Sequence, residues 1–225
     1  MTITLSDVRY SYQGKYQTTY AVNGVSGSFE SGRLYAIVGK SGSGKTTLLS
    51  LLAGLTLPTA GEIAVDDEPM QKLDRSRLRR ESVSVIYQNY NLFPLLNVSE
   101  NIQYPLRLQG VGAKQAKETA SRMREKVGLP EAYERRLPGQ LSGGEQQRVA
   151  IARTLAQGSR VLLADEPTGN LDTENTRNIV EILKRLAHEE DCCVIIVTHD
   201  LAVAEQADVV LRMSDGKWVG EDENS

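Results

Sequence analysis

The chain has 225 residues, of which 40% are hydrophobic and 24% are charged, and its formal net charge is −3. This size suits one large α/β domain or a domain that carries a smaller subdomain. The weak negative charge lacks the general basic field of most nucleic-acid-binding proteins, so we expect no nucleic-acid partner. The longest apolar run, 192–197, is far shorter than the roughly 18 residues of a membrane span. The first five residues lack the pattern of a secretory signal, so a cytosolic chain is expected.

The predicted elements alternate between strands and helices, in the manner of a parallel sheet that is covered on both faces. The section 2–29 is strand-like, with turn residues at Gly14 and Gly24. A buried strand at 34–38 and a helix at 46–53 follow. Further strands are predicted at 61–66, 83–87, 161–164, 192–198 and 209–213.

Between residues 97 and 138 the pattern becomes helical. Helices are predicted at 98–109 and 113–127, and no strand pattern lies between them. We therefore expect a single domain over 1–225, in which 97–138 form a helical subdomain. The remaining residues, 1–96 and 139–225, form the β subdomain and the core.

Three conspicuous features have ordinary structural explanations. The adjacent Cys192 and Cys193 cannot form a disulfide framework and are expected to be buried, reduced thiols. The basic run 75–80 is expected to be a solvated helix face. His188, late in a charged helical pattern, is expected at the surface.

A glycine-rich loop, Gly39–Thr46, follows the first buried strand and has the form GxxxxGK[ST]. Its glycines allow successive backbone N–H groups to turn inward around a phosphate. Lys45 is then expected to neutralise β- and γ-phosphate oxygens, and the Thr46 hydroxyl is expected to bind Mg²⁺. The segment is called the phosphate loop below. Its predicted nucleotide-binding residues are Gly39, Ser41, Gly42, Gly44, Lys45, Thr46 and Thr47.

Two carboxylates, Asp165 and Glu166, follow the apolar run 161–164 and are expected at the carboxyl end of a buried strand. Because successive strand residues point to opposite faces, we expect the two acids to have different tasks. Asp165 is predicted to bind Mg²⁺, and Glu166 is predicted to polarise the water that attacks the γ-phosphate.

His199 and Gln88 also follow predicted strands, so both are expected at the same edge of the sheet. His199 is suited to reaching the γ-phosphate, orienting the water or holding Glu166. The Gln88 amide is suited to bridging metal and water, because it adds no charge. Both are therefore predicted catalytic residues, and Gln88 is also a predicted metal ligand.

A second phosphate cradle is predicted at Leu141–Arg148, which is called the signature segment below. Ser142, Gly143 and Gly144 begin an Ala-rich helical pattern and expose backbone N–H groups to an anion. One triphosphate rarely needs two cradles. The sequence therefore indicates that the nucleotide is held between two protein surfaces.

The order of these motifs resembles the nucleotide-binding subunits of ATP-binding cassette (ABC) transporters over essentially the whole chain. The resemblance implies a P-loop NTPase core with a parallel sheet, an N-terminal antiparallel β subdomain and an inserted helical subdomain. It also implies an ATPase that uses Mg²⁺, in which two copies bind head to tail and Ser142, Gly143 and Gly144 of one copy reach the nucleotide of the other. Asp172, in the loop 169–172, would lie along that interface.

The resemblance further implies that Tyr12 stacks on adenine, although Tyr10, Tyr16 and Tyr20 lie nearby. It implies a permease-like membrane subunit that contacts Tyr90–Leu96, unless these side chains only pack the subdomain. The chain would then be peripheral at the cytoplasmic face of the plasma membrane.

The run 165–172 resembles bacterial ATPases of lipoprotein release, macrolide or antimicrobial-peptide efflux and cell division. Closure of the dimer on ATP would power export or mechanical transmission. The alternative is an ATPase of a non-transporting signalling or cell-division complex. The interval from Gln88 to Ser142 is too short for the coiled coil of chromosome-maintenance cassettes. The cargo is not encoded in this chain.

Overall fold

The computed structural model describes residues 1–14 and 18–223. They form two sheets, which hold the strands β1 Thr2–Gln13, β2 Thr18–Glu30, β3 Leu34–Val38, β4 Ala60–Val65, β5 Glu68–Pro69, β6 Val83–Tyr87, β7 Val161–Asp165, β8 Cys193–Thr198, β9 Val209–Ser214 and β10 Lys217–Glu223. The helices are α1 Lys45–Leu52, α2 Arg75–Glu81, α3 Val98–Leu108, α4 Ala113–Lys126, α5 Gly143–Gln157, α6 Thr173–His188 and α7 Leu201–Ala204.

The larger sheet has six strands in the order β10-β9-β3-β8-β7-β6. Its strands pair in parallel except for β10, which runs antiparallel to β9 at the edge. The smaller sheet is antiparallel, with the order β2-β1-β4-β5. These two sheets confirm the predicted α/β class with a parallel core and an N-terminal antiparallel part.

Strand alternation divides the core into two layers, one on each face of the larger sheet. Leu34 and Ala36 of β3 pack on the side of α3, α5 and α6, whereas Tyr35 and Ile37 pack on the side of α1 and the smaller sheet. Both layers exclude solvent at these positions, because all four residues are at most 4% exposed. Central strands buried on both faces explain the continuous apolar runs in the sequence.

Residues 98–140 contain α3, α4 and two short 3₁₀ turns, Glu131–Tyr133 and Pro138–Gln140. Asn97 begins α3 with a capping box, in which its side chain accepts from the N–H of Glu100 and the Glu100 carboxylate accepts from the N–H of Asn97. The described part of the chain contains no helix long and apolar enough to cross a bilayer.

Several local expectations need correction. Gly24 does not end a strand; it lies inside β2 with a φ of 80°, beside register shifts in the β1–β2 pairing. Cys192 precedes β8, although both cysteines are buried as predicted, and burial raises the pKa of the Cys193 thiol to about 12. His188 is exposed as expected, but its Nε2 lies 2.9 Å from the carboxylate of Asp208.

Candidate nucleotide site

The parallel register brings four loops to one edge of the larger sheet. Val38 at the end of β3 pairs with Thr198 of β8, and Asp165 at the end of β7 pairs with Val197 and Tyr87. The segments that follow these strands therefore begin side by side, and they are the segments that carry the predicted chemistry. Ligands in open α/β sheets bind outside this edge.

The phosphate loop folds around its own lysine. The Lys45 ammonium donates to the carbonyl oxygens of Gly39 at 2.7 Å and Lys40 at 3.0 Å. A Cβ on Gly39 would lie 2.2 Å from the Met213 carbonyl oxygen, and one on Gly44 would lie 1.9 Å from that of Ala21. Packing against the chain's own backbone therefore requires these two glycines, in addition to any need to approach a phosphate.

Asp165 and Thr46 lie together beside the loop. The Thr46 hydroxyl donates to Oδ1 of Asp165 at 3.3 Å. Burial raises the pKa of the Asp165 carboxyl, although the Thr46 hydrogen bond opposes this effect. A carboxylate in this position gains stability from a nearby cation.

The backbone conformation of Glu166 differs from the strand conformation that the sequence predicts. The strand β7 ends at Asp165, and Glu166 takes a left-handed conformation with a φ of 48°, so strand alternation does not set its direction. Its carboxylate accepts from Nδ1 of His199 at 2.8 Å and from the hydroxyl of Thr198 at 3.3 Å. A residue held in this region by specific contacts is a common feature of active sites.

Gln88 follows β6 and is bonded to Asn170. Its Nε2 donates to Oδ1 of Asn170 at 3.4 Å, and the Asn170 amide donates back to the Gln88 carbonyl oxygen at 3.3 Å. This pair joins the loop after β6 to the loop after β7. Sequence reasoning missed the roles of Asn170 and Thr198, although each stands beside a residue that it singled out.

A cleft of about 760 Å³ joins these groups and is called the nucleotide cleft below. Its lining includes most of the predicted site residues: Tyr12, Ser41, Gly42, Gly44, Lys45, Thr46, Thr47, Gln88, Asp165, Glu166 and His199. Among the described residues, the predicted ones that do not line it are Gly39, Ser142, Gly143, Gly144 and Asp172.

Two exposed tyrosines line the cleft. Tyr12 is 53% exposed and Tyr20 is 54% exposed. The Tyr12 hydroxyl lies 3.3 Å from that of Thr47, and its ring meets Tyr10 edge-on with centroids 5.1 Å apart. Tyr10 does not line the cleft, and Tyr16 lies outside the described residues. The ring of Tyr12 is thus fixed on two sides.

The signature segment begins α5. Ser142 and Glu145 form a capping box: the Ser142 hydroxyl accepts from the N–H of Glu145 at 3.3 Å, and the Glu145 carboxylate accepts from the N–H of Ser142 at 2.7 Å. A Cβ on Gly143 would lie 2.7 Å from the Tyr90 hydroxyl, and one on Gly144 would lie 2.2 Å from Oδ1 of Asn175. A side chain at Gly143 would therefore displace the end of Tyr90, and one at Gly144 would displace Asn175.

Asp172 caps the neighbouring helix, α6. Its carboxylate accepts from the backbone N–H of Asn175 at 2.8 Å and from the Asn175 amide at 2.8 Å. Asn175 is therefore the link between the start of α6 and Gly144 at the start of α5.

A strand, phosphate loop and helix with two acids at the same sheet edge define a phosphate-loop nucleotide-binding domain. The family model described as "ABC transporter" matches residues 22–169. The chain is 39% identical over 216 residues to the uncharacterized ABC transporter ATP-binding protein YclH of Bacillus subtilis (strain 168), which covers 96% of this chain and 95% of YclH. The chain therefore belongs to the ABC transporter family, and it is an ATP-hydrolysing subunit of that family.

Two further relatives are informative. The chain is 40% identical over 225 residues to the macrolide export ATP-binding/permease protein MacB of Hyphomonas neptunium, which covers 99% of this chain but only 35% of MacB. A dimeric structure of the Methanocaldococcus jannaschii cassette MJ0796, in a post-hydrolysis state bound to ADP and Pi, superposes with a TM-score of 0.90. That structure is 34% identical, with 98% of each chain covered.

The packing of Gly144 gives a prediction. In Gly144→Ala, the added methyl group would displace Asn175 from Asp172, so the free energy of unfolding should fall by about 1–3 kcal/mol, as is typical of overpacking. ATP hydrolysis should fall as well, whereas the monomer should still bind nucleotide in its own cleft. Urea denaturation and an ATPase assay measure these effects. Gly139→Ala is the control, because its Cβ would meet open space; equal losses in both variants would contradict the explanation.

Proposed function

We propose that two copies of this chain close head to tail around ATP and drive a membrane permease by export or mechanical transmission. One observation carries the proposal: the predicted catalytic residues and most of the predicted phosphate-loop residues line one cleft, whereas Ser142, Gly143 and Gly144 lie outside it. The N–H of Glu145 is bonded to the Ser142 hydroxyl, whereas those of Gly143 and Gly144 precede the first hydrogen bonds within α5 and are suited to binding phosphate. A second copy of the chain would place its own α5 start against this cleft. The relative MJ0796 has dimeric structures.

The cleft is suited to Mg²⁺. Thr46 and Asp165 offer adjacent oxygen ligands, and the Gln88 side chain lines the same cleft. The described residues contain no cluster of three or more His, Cys, Asp or Glu side chains that would hold a metal alone. Mg²⁺ usually takes few protein ligands and completes its shell with water and phosphate. When bound, it supplies positive charge against the β- and γ-phosphate oxygens.

Glu166 is the proposed general base. Its carboxylate takes a proton from water as the water oxygen bonds to the γ-phosphorus and the bond to the β–γ bridging oxygen breaks. An ionised carboxylate can only accept hydrogen bonds, so Nδ1 of His199 carries the hydrogen in their 2.8 Å contact. This contact favours a role for His199 in holding Glu166. Lys45 neutralises charge on the phosphate oxygens.

Tyr12 is the proposed adenine platform, because its exposed ring lines the cleft and contacts Tyr10 and Thr47. Tyr20 is the alternative, as it is equally exposed. Nucleotide titrations of Tyr12→Ala and Tyr20→Ala separate the two, and a larger affinity loss in Tyr20→Ala would overturn the assignment.

The proposed permease contact is an apolar groove between the core and α3, which is called the docking groove below. Of the predicted segment Tyr90–Leu96, Phe93 lines the groove and packs against Tyr104, with ring centroids 4.3 Å apart. Leu108 of α3 lines it as well and is 62% exposed. Tyr90 instead packs against Gly143. An exposed apolar groove of this kind suits a partner segment, which would keep the chain peripheral at the cytoplasmic face of the plasma membrane.

Purification with the membrane partner tests this function. ATP hydrolysis by the complex in liposomes should be stimulated by the partner, and substrate should be exported. Leu108→Asp should abolish stimulation while basal hydrolysis continues, because a charge would enter the docking groove. Val219→Asp is the control at another exposed apolar position. Stimulated hydrolysis without export would support the non-transporting alternative, and the absence of any membrane partner would contradict both.

Glu166→Gln should lower kcat about 100-fold or more, because the amide cannot act as a general base. ATP should remain bound, so this variant should form a dimer with ATP that size-exclusion chromatography detects. Glu189→Gln, at an exposed position beyond α6, is the control. A wild-type rate in Glu166→Gln would remove Glu166 as the base.

Ser142→Arg should prevent closure, because bulk and charge would face the nucleotide of the second copy. Nucleotide binding by the monomer should be almost unchanged, whereas cooperative hydrolysis should be lost. Ser142→Ala separates this effect from loss of the helix cap, which costs about 1 kcal/mol. Cooperative hydrolysis at the wild-type rate in Ser142→Arg would refute the shared site.

A further inference from the structure

The loop after Gln88 contains two consecutive non-glycine residues in the left-handed region. Tyr90 has a φ of 60° and Asn91 has a φ of 46°. L-residues enter this region at a cost, and asparagine tolerates it better than most. Such strain persists only where the surrounding contacts impose the conformation.

Arg153 of α5 supplies these contacts. Its Nη1 donates to the Asn91 carbonyl oxygen at 2.7 Å, and its Nη2 donates to the Tyr90 carbonyl oxygen at 3.1 Å. The side chain is half-buried, and no carboxylate among the described residues forms an ion pair with it. Its planar guanidinium therefore donates charge-assisted hydrogen bonds to two successive carbonyl groups. A lysine side chain does not reproduce this forked geometry.

The same loop contacts both halves of the proposed shared site. Gln88, two positions before Tyr90, lines the nucleotide cleft of its own copy. The Tyr90 hydroxyl packs against Gly143, at the start of the helix that carries Arg153. Tyr90 thus lies between Gln88, which lines the nucleotide cleft of its own copy, and the start of α5, which would reach the nucleotide of the second copy.

We propose that Arg153 is a positioning residue of the ATP site. By holding Tyr90 and Asn91 in the left-handed conformation, it fixes Gln88 relative to the start of α5. The two nucleotide sites of the dimer are then mechanically connected through this clamp. This inference rests on the proposed head-to-tail dimer, and it adds a residue that touches neither nucleotide.

Arg153→Gln tests the clamp. One charge-assisted hydrogen bond corresponds to about a tenfold rate change or more, so kcat should fall at least about tenfold. Nucleotide affinity should stay within about twofold, because the nucleotide-contacting groups remain. The Hill coefficient for ATP should fall towards one. Arg185→Gln is the control, since Arg185 also donates to a backbone carbonyl, that of Lys126, far from this loop.

A second substitution separates positioning from general stability. Asn91→Gly in the Arg153→Gln background should restore kcat and cooperativity, because glycine adopts a positive φ without a Cβ clash. Asp67→Gly is the matched control, since Asp67 also has a positive φ, of 64°, in the turn between β4 and β5. It should raise thermal stability without restoring kcat. Equal rescue by both glycines would overturn the proposal.

A substitution of Asn91 in the otherwise wild-type chain tests the same proposal if Arg153→Gln fails to fold. Asn91→Val leaves the clamp in place but raises the cost of the left-handed conformation, because valine is β-branched. Asn91 is exposed, so no core packing is lost. It should reproduce the loss of kcat and cooperativity, and wild-type values would overturn the proposal. If the wild type neither dimerises nor hydrolyses ATP cooperatively, the proposed head-to-tail dimer is wrong. Rescue of kcat by Asn91→Gly would then still support the role of Arg153 in positioning Gln88.

Discussion

The parallel register of β3, β8, β7 and β6 is the constraint on which the rest of the structure depends. Parallel pairing requires each strand to return through a crossover, so all four strands end at the same edge. The buried apolar layers on both faces fix that register, because a slip of one residue would move each side chain to the wrong layer. The phosphate loop, Gln88, Glu166 and His199 meet because they follow these strand ends.

Packing within the chain helps to explain several of the distinctive residues. Gly39 and Gly44 lie against backbone carbonyl groups, and Gly143 and Gly144 lie against Tyr90 and Asn175. A motif read as a phosphate cradle is therefore also a packing motif. The two explanations are compatible, since a helix start that is packed closely and capped by its own serine can present N–H groups in a fixed direction.

Short contacts between loops connect the parts of the domain. Asn170 joins the loop after β7 to Gln88, and Asn175 joins the starts of α6 and α5. Arg153 connects α5 to the loop that leads to Phe93 in the docking groove. These contacts join the nucleotide cleft, the proposed dimer surface and the proposed permease contact.

The sequence by itself determined the α/β class, because buried runs followed by Gly39–Thr46 or by Asp165 have few structural solutions. It also predicted the approximate positions of the parallel strands in the larger sheet and most of the residues that line the cleft. It could not determine the left-handed conformation of Glu166, whose carboxylate contacts Thr198 at the end of β8 and His199 just after it. The clamp of Arg153 was equally invisible, since it joins segments that are 62 positions apart. Local patterns encode elements and local motifs, whereas contacts between distant loops exist only once the sheet has placed them side by side.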